Sequence, residues 1–120
     1  MPTTGLRGPY SLDNNAIDAV VTKKSAGAYA LGYINEEDLF VPEYVGRSDD
    51  DVNKRLKDWV GSKYPAFKFE YYGSPKAAFE KECNLYHDWI KQLDNNQHPD
   101  RLDGTNWKCP RCNVFNVEKN

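Results

Sequence analysis

At 120 residues with 13% aromatic side chains, the chain is long enough for one well-filled core and a small appendage. A net charge of −2 argues against a broad, strongly basic nucleic-acid-binding surface but leaves room for a local cationic patch in the central lysine- and arginine-rich stretch. No apolar run approaches the ~20 residues that a bilayer-crossing helix needs, and no secretion signal is read at the start, so a cytoplasmic, non-membrane protein is expected.

In chain order, residues 1–11 (MPTTGLRGPYS) are rich in Gly, Pro and Thr and read as an irregular lead-in. Asp13 to Val21 reads as a short helix with Ser11 or Asp13 near its cap. GAYALGYI (27–34) alternates Tyr29, Leu31 and Tyr33 with other residues and predicts a strand. A polar turn at 35–38 leads into LFVPEYVG (39–46), the second strand of a hairpin, where Pro42 points to an edge or a bulge. Ser48 and Asp49–Asp51 make an acidic start for a helix whose buried face is Val52, Leu56, Trp59 and Val60, with Gly61 ending it. AFKFEYYG (66–73) is the third strand. Ser74 and Pro75 open a longer helix running to Lys91, followed by a loop (93–106), the knuckle WKCPRCNVF and a loose tail of four residues. The expected fold is α+β, a three-stranded antiparallel sheet flanked by helices. Its expected division is a lead-in over 1–24, a core over 25–92, and a loop with a CPxC knuckle over 93–120.

One residue of the long helix stands out. Ala78, Phe79, Leu85, Tyr86, Trp89 and Ile90 form its apolar stripe, and Glu82 lies within about 60° of Ala78, Phe79, Leu85, Tyr86 and Trp89. Desolvating an uncompensated carboxylate costs several kcal/mol, so Glu82 calls for a cationic partner, a metal ion or a wet cleft.

The paired tripeptides GAY (27–29) and YVG (44–46), with an arginine on the next helix (Arg55 in NKRLKDW) and a glutamate on the one after (Glu82 in AFEKECNLYHDW), resemble the GIY-YIG nuclease superfamily. The resemblance covers roughly Gly27 to Trp89. It implies phosphodiester cleavage with one Mg or Mn ion held by Glu82. It also implies that Tyr29 helps activate the attacking water, that Tyr44 orients water or phosphate, and that Arg55 binds the scissile phosphate. The chain departs from the family pattern by Ala28 in the first motif and by an extra residue among Asp49–Asp51, which leaves Arg47 as a rival to Arg55. Elementary chemistry is compatible with these roles: charge grows on phosphate oxygens during attack, and a guanidinium fork suits them. Three plainer readings stand beside them. The tyrosines can be core residues, Arg55 can pair with Asp51 or Asp58, and Arg55 and Glu82 can be each other's salt-bridge partners.

Three cysteines, two in a CxxC pair, suit metal binding in a reducing compartment better than a disulfide framework. CPRC (109–112) has zinc-knuckle spacing, and Cys83 and His87 lie one turn apart on the long helix, so Cys83, His87, Cys109 and Cys112 form a candidate structural zinc site. His98 can replace His87, or two chains can share a metal through paired knuckles. Trp107 and Phe115 are expected to brace the knuckle. The functional expectation is a metal-dependent endonuclease acting on DNA or structured nucleic acid, with Mg or Mn at the reaction centre and a structural Zn. The alternative is a catalytically inactive, zinc-stabilised module that binds nucleic acid or a protein partner.

Overall fold

A computed structural model describes residues 3–115; the final four residues, expected to be loose, lie outside them. The elements in chain order are β1 (Arg7–Ser11), α1 (Asn14–Val20), β2 (Gly27–Ile34), β3 (Phe40–Ser48), α2 (Val52–Lys57), β4 (Ala66–Tyr71) and α3 (Pro75–Asp88). The strands form one antiparallel sheet in the order β1-β4-β2-β3. The sheet thus has four strands where the sequence predicts three. The added strand comes from the segment read as irregular: Arg7, Tyr10 and Ser11 pair with Phe69, Phe67 and Ala66 across a register shift. An edge strand tolerates Gly8 and Pro9 because only one of its sides must supply ladder hydrogen bonds. Arg7 then locks onto β4 through a two-pronged bond to Glu70, Nε at 3.0 Å and Nη2 at 2.8 Å.

Period-two alternation along β2 decides what covers each face. Tyr29 and Leu31 join Phe67, Phe69 and the apolar residues of α1 and α2, including Ile17, Val52 and Leu56. Ala28 and Ala30 face the other way with Val45 and receive Leu85 of α3. Small residues on this second face let the long helix lie close to the sheet. Each helix starts on a side-chain cap: Asp13, Asp51 and Ser74 accept backbone N–H groups of Ala16, Lys54 and Ala77. Helix α3 ends at Asp88, earlier than expected, so Ile90 leaves the apolar stripe and is exposed.

β3 is an edge strand, as Pro42 suggested, with a register shift opposite Leu31 and Gly32. Gly32 is needed there because a side chain at that position would collide with the Val41 carbonyl. The outer edge of β3 is sealed by the chain leaving α3. Gln92 Nε2 donates to the Pro42 carbonyl (2.9 Å) and the Asp94 amide to the Glu43 carbonyl (2.6 Å). The Asn95 carboxamide bonds both backbone groups of Val45, at 3.0 and 2.9 Å. That side chain does the work of one residue of a neighbouring strand, closing an edge that would otherwise be free to pair. Among the described residues, no helix is long and apolar enough to cross a membrane.

Candidate active cleft and metal centre

Side chains from both faces of the sheet meet around the end of β3. By register Tyr29 faces Gly46, while Arg47 pairs with Ala28 and so shares the α3 side. A cleft of about 260 Å³ is lined by Tyr29, Tyr44, Gly46, Arg47, Asp49, Arg55, Glu82 and Asp100. All four residues singled out from the paired motifs and the two helices, Tyr29, Tyr44, Arg55 and Glu82, therefore line one polar hollow.

Tyr29 is buried, and its Oη accepts a hydrogen bond from Trp59 Nε1 at 3.0 Å. Burial pushes its phenol well above the ordinary tyrosine range, opposed by that hydrogen bond. The group is therefore neutral at physiological pH and can orient water but is a poor base. Tyr44 packs its ring on Trp59 with centroids 4.6 Å apart, and burial raises its phenol too. Gly46 makes room for the first tyrosine: a Cβ there would lie 2.5 Å from Tyr29 Oη and 2.6 Å from its Cζ. Gly46→Ala is expected to push the phenol out of the cleft and to lower stability by about 1–3 kcal/mol, the usual cost of overpacking, readable by denaturant unfolding.

Glu82 is nearly buried on α3, as the stripe pattern required, but its partner is not Arg55. Arg47 Nη1 bonds Glu82 Oε1 at 2.8 Å, Arg47 Nε bonds Asp49 Oδ1 at 2.8 Å, and Nη1 also donates to the Asp100 carbonyl at 2.7 Å. The Arg47 guanidinium also lies 5.1 Å over the Phe79 ring. Among the described residues the Arg47 bond goes to Glu82 Oε1, and Oε2 is not one of the fully buried unpaired atoms, so it opens toward the cleft. Burial pushes the Glu82 carboxyl up to about 7, against the stabilising bond from Arg47. Arg55 is half-exposed at the cleft and makes only a loose pair with Asp58, 3.7 Å away. Its guanidinium is thus available to an anion. Asp100 is a cleft residue that the motif pattern does not rank, and Arg47 is the rival to Arg55 that the extra residue before α2 left open. For Arg47 the signal was present in its position directly after YVG, whereas Asp100 contributes a backbone carbonyl that no sequence pattern marks.

The second site lies where the knuckle meets α3. Ligand atoms of His87, His98, Cys109 and Cys112 all fall within 4.8 Å of one another. His87 Nε2 and Cys112 Sγ each stand 3.3 Å from His98 Nε2. Ligand atoms around a tetrahedral zinc are roughly 3.3–3.8 Å apart, so two of the separations already suit a metal such as zinc, and drawing in the widest of them, at most 4.8 Å, would take about 1 Å. Its surroundings suit that role. His98 Nδ1 is 2.7 Å from the Pro99 carbonyl, which can only accept, so Nδ1 carries the proton and Nε2 presents a lone pair to the group. The Arg111 amide points at Cys109 Sγ, 3.4 Å away, and supports a thiolate. Arg111 Nη1 then ties the knuckle to α3 through Asp88 at 2.7 Å.

The group that the fold gathers differs from the candidate set Cys83, His87, Cys109 and Cys112 at one position: it contains His98 and not Cys83. Cys83 and His87 share a helix face, but four residues separate them by about 6 Å along the axis. Cys83 is instead buried in the apolar cluster of Phe79 and Cys109, which Trp107, Cys112 and Phe115 flank. All four ligands come from one chain, so no second copy is needed to complete the set. Trp107 and Phe115 sit 5.4 and 5.8 Å from the Phe79 ring and brace the knuckle as expected. The chain matches no protein-family model, no curated protein and no solved structure.

Proposed function

We propose that this chain is a metal-dependent endonuclease of the GIY-YIG type, hydrolysing phosphodiester bonds in DNA or structured nucleic acid, with zinc at the His87/His98/Cys109/Cys112 group as a structural ion. The observation that carries the reading is the meeting of Tyr29, Tyr44, Arg55 and Glu82, drawn from four separate elements, in one polar hollow. Arg47 and Arg55 there face Asp49, Glu82 and Asp100, so with every acid ionised the side chains leave one negative charge in excess. A divalent cation on the free oxygen of Glu82 makes the hollow net positive and attractive to a phosphodiester. One carboxylate is a sparse ligand set for Mg or Mn, and phosphate oxygens and water complete the shell. Bound at Glu82, such an ion would supply Lewis-acid chemistry, polarising the phosphate and making a water more acidic. Neutral Tyr29 and Tyr44 orient that water, and the half-free Arg55 takes the charge that accumulates on the phosphate oxygens.

Nicking of supercoiled plasmid and branched DNA by the zinc-loaded chain with Mg or Mn added, and its absence when both ions are omitted, is the direct assay. No cleavage of any tested nucleic acid in either ion rules the reading out. Its pH profile carries a further expectation. Glu82 must ionise to hold a cation, so cleavage should rise with pH through about 7 and fall below it. The same raised pKa means that the folded chain keeps a proton that the unfolded chain releases between the ordinary carboxyl value of 4.5 and about 7. Stability should therefore decline as pH rises across that window, and Glu82→Gln should flatten the slope.

A second reading is favoured by the short Arg47–Glu82 pair: the ion pair satisfies the carboxylate, and the fold serves as a zinc-stabilised module that binds without cleaving. Salt-dependent nucleic-acid binding without cleavage would identify it.

A further inference from the structure

The metal group and the cleft share one segment of chain. Residues 96–106 carry no helix or strand, and inside them His98 supplies a metal ligand while Asp100, two residues on, supplies the carbonyl that Arg47 Nη1 reaches at 2.7 Å. The same Arg47 nitrogen bonds Glu82 Oε1. Arg101 closes the segment on itself through a 3.0 Å bond from its Nη1 to the Trp107 carbonyl. Trp107 in turn stacks near Phe79, the ring beneath the Arg47 guanidinium.

We infer that the metal at His87, His98, Cys109 and Cys112 is a positioning device for the cleft: by anchoring His98 it fixes the Asp100 carbonyl, which holds Arg47 against Glu82. The physical reason is the lack of a strong bond from this segment to α3 or the knuckle. Without an ion, His98 has ring packing on Tyr86 and Phe115, with centroids 5.2 and 5.6 Å apart, and a bond to the adjacent Pro99 carbonyl. Its polar ties to α3 and the knuckle are two 3.3 Å approaches, to an imidazole nitrogen and a sulfur, neither a strong hydrogen bond. With an ion it becomes a ligand in a covalent ring that reaches from α3 to the knuckle, and the two residues up to Asp100 have little freedom left. Losing that anchor releases one of three acceptors of a nearly buried guanidinium and opens the wall of the cleft that Asp100 forms. The inference concerns the geometry of Arg47 and stands whether or not the cleft cleaves nucleic acid.

The test compares the full-length chain loaded with Zn2+, the same chain stripped by a chelator, and His98→Ala with Zn2+ supplied. Hydrogen exchange of the Arg47 Nε proton, which is donated to Asp49, is followed by nitrogen-resolved NMR, with the backbone amides of Ala30 and Leu31 in β2 as the internal reference. Stripping the metal and replacing His98 should each speed Arg47 exchange by about tenfold or more while the β2 amides hold their protection, and returning Zn2+ alone should restore it in the wild type. Unchanged Arg47 exchange in both metal-poor states overturns the inference. So does a collapse of β2 protection in both, which would mean that the ion holds the whole fold and not this segment. A failure of nicking, by contrast, leaves this readout untouched and bears only on the proposed activity.

Discussion

Replacing Glu82 by Ala or Gln is expected to lower metal-dependent nicking by about 10³-fold or more, because the only near-buried carboxylate in the cleft is also the only group there proposed to hold the catalytic ion. The two substitutions separate chemistry from stability. Glu82→Ala leaves Arg47, whose side chain is 11% exposed, without its acid on α3, and breaking a buried pair from one side costs about 3–5 kcal/mol. The remaining bond from Arg47 to partly exposed Asp49 should keep the cost at the low end of that range. Glu82→Gln keeps an oxygen for Arg47 Nη1 and should fold near normally, yet its neutral amide binds Mg weakly, so nicking should fail just as fully. Arg55→Ala supplies the complementary case. Its half-exposed side chain has only a loose partner in Asp58, so stability should hardly move, while removal of the phosphate-facing cation should cost about 10²-fold in cleavage. Activity of Glu82→Gln equal to the wild type, measured side by side on plasmid, would remove the proposed reaction centre.

Metal removal is the second large effect. Protein purified without chelators should carry about one zinc per chain, and stripping it should lower the melting temperature by about 10 °C or more, since structural zinc contributes folding energy directly. The ligand assignment makes a sharper statement through three variants. His98→Ala and Cys112→Ser should lose most of the bound zinc, because each removes one of four ligand atoms that lie within 4.8 Å. Cys83→Ala should retain it, because Cys83 is packed among Phe79 and Cys109 outside that group. Its cost should be only that of a small cavity, about 1 kcal/mol. Elemental analysis of the three purified variants decides the matter, and zinc lost from Cys83→Ala but kept by His98→Ala would restore the set expected from spacing alone.

How much of this was legible in the residues depends on whether the signal was local. Strands β2 and β4 carry their alternation in their own sequence, and Glu82 declared itself by standing in an apolar stripe. All of these lie where the pattern put them. β1 was not legible because its strand character is borrowed: Arg7–Ser11 has Gly and Pro in its middle and is extended only because β4 offers it a ladder and Glu70 offers Arg7 a partner. His98 escaped a firm assignment for a related reason. Its loop has no period, so only the folded path brings its ring to His87 and Cys112. Cys83 misled because helical spacing fixes direction but not depth: its thiol lies against Cys109 without entering the four-atom group. The partner of Glu82 shows the same limit: Arg47 and Arg55 both follow the second motif, and register on the sheet, not spacing along the chain, turned Arg47 to the α3 side.

The most direct measurement on the proposed cleft is a Mn2+ titration of the zinc-loaded chain bound to a short duplex, followed by paramagnetic broadening of side-chain and backbone NMR signals. Broadening should centre on Glu82, with Tyr29, Tyr44 and Arg47 next, and vanish in Glu82→Gln. Broadening confined to the exposed acids of other surfaces, with the Glu82 signals sharp at saturating Mn2+, would contradict the account.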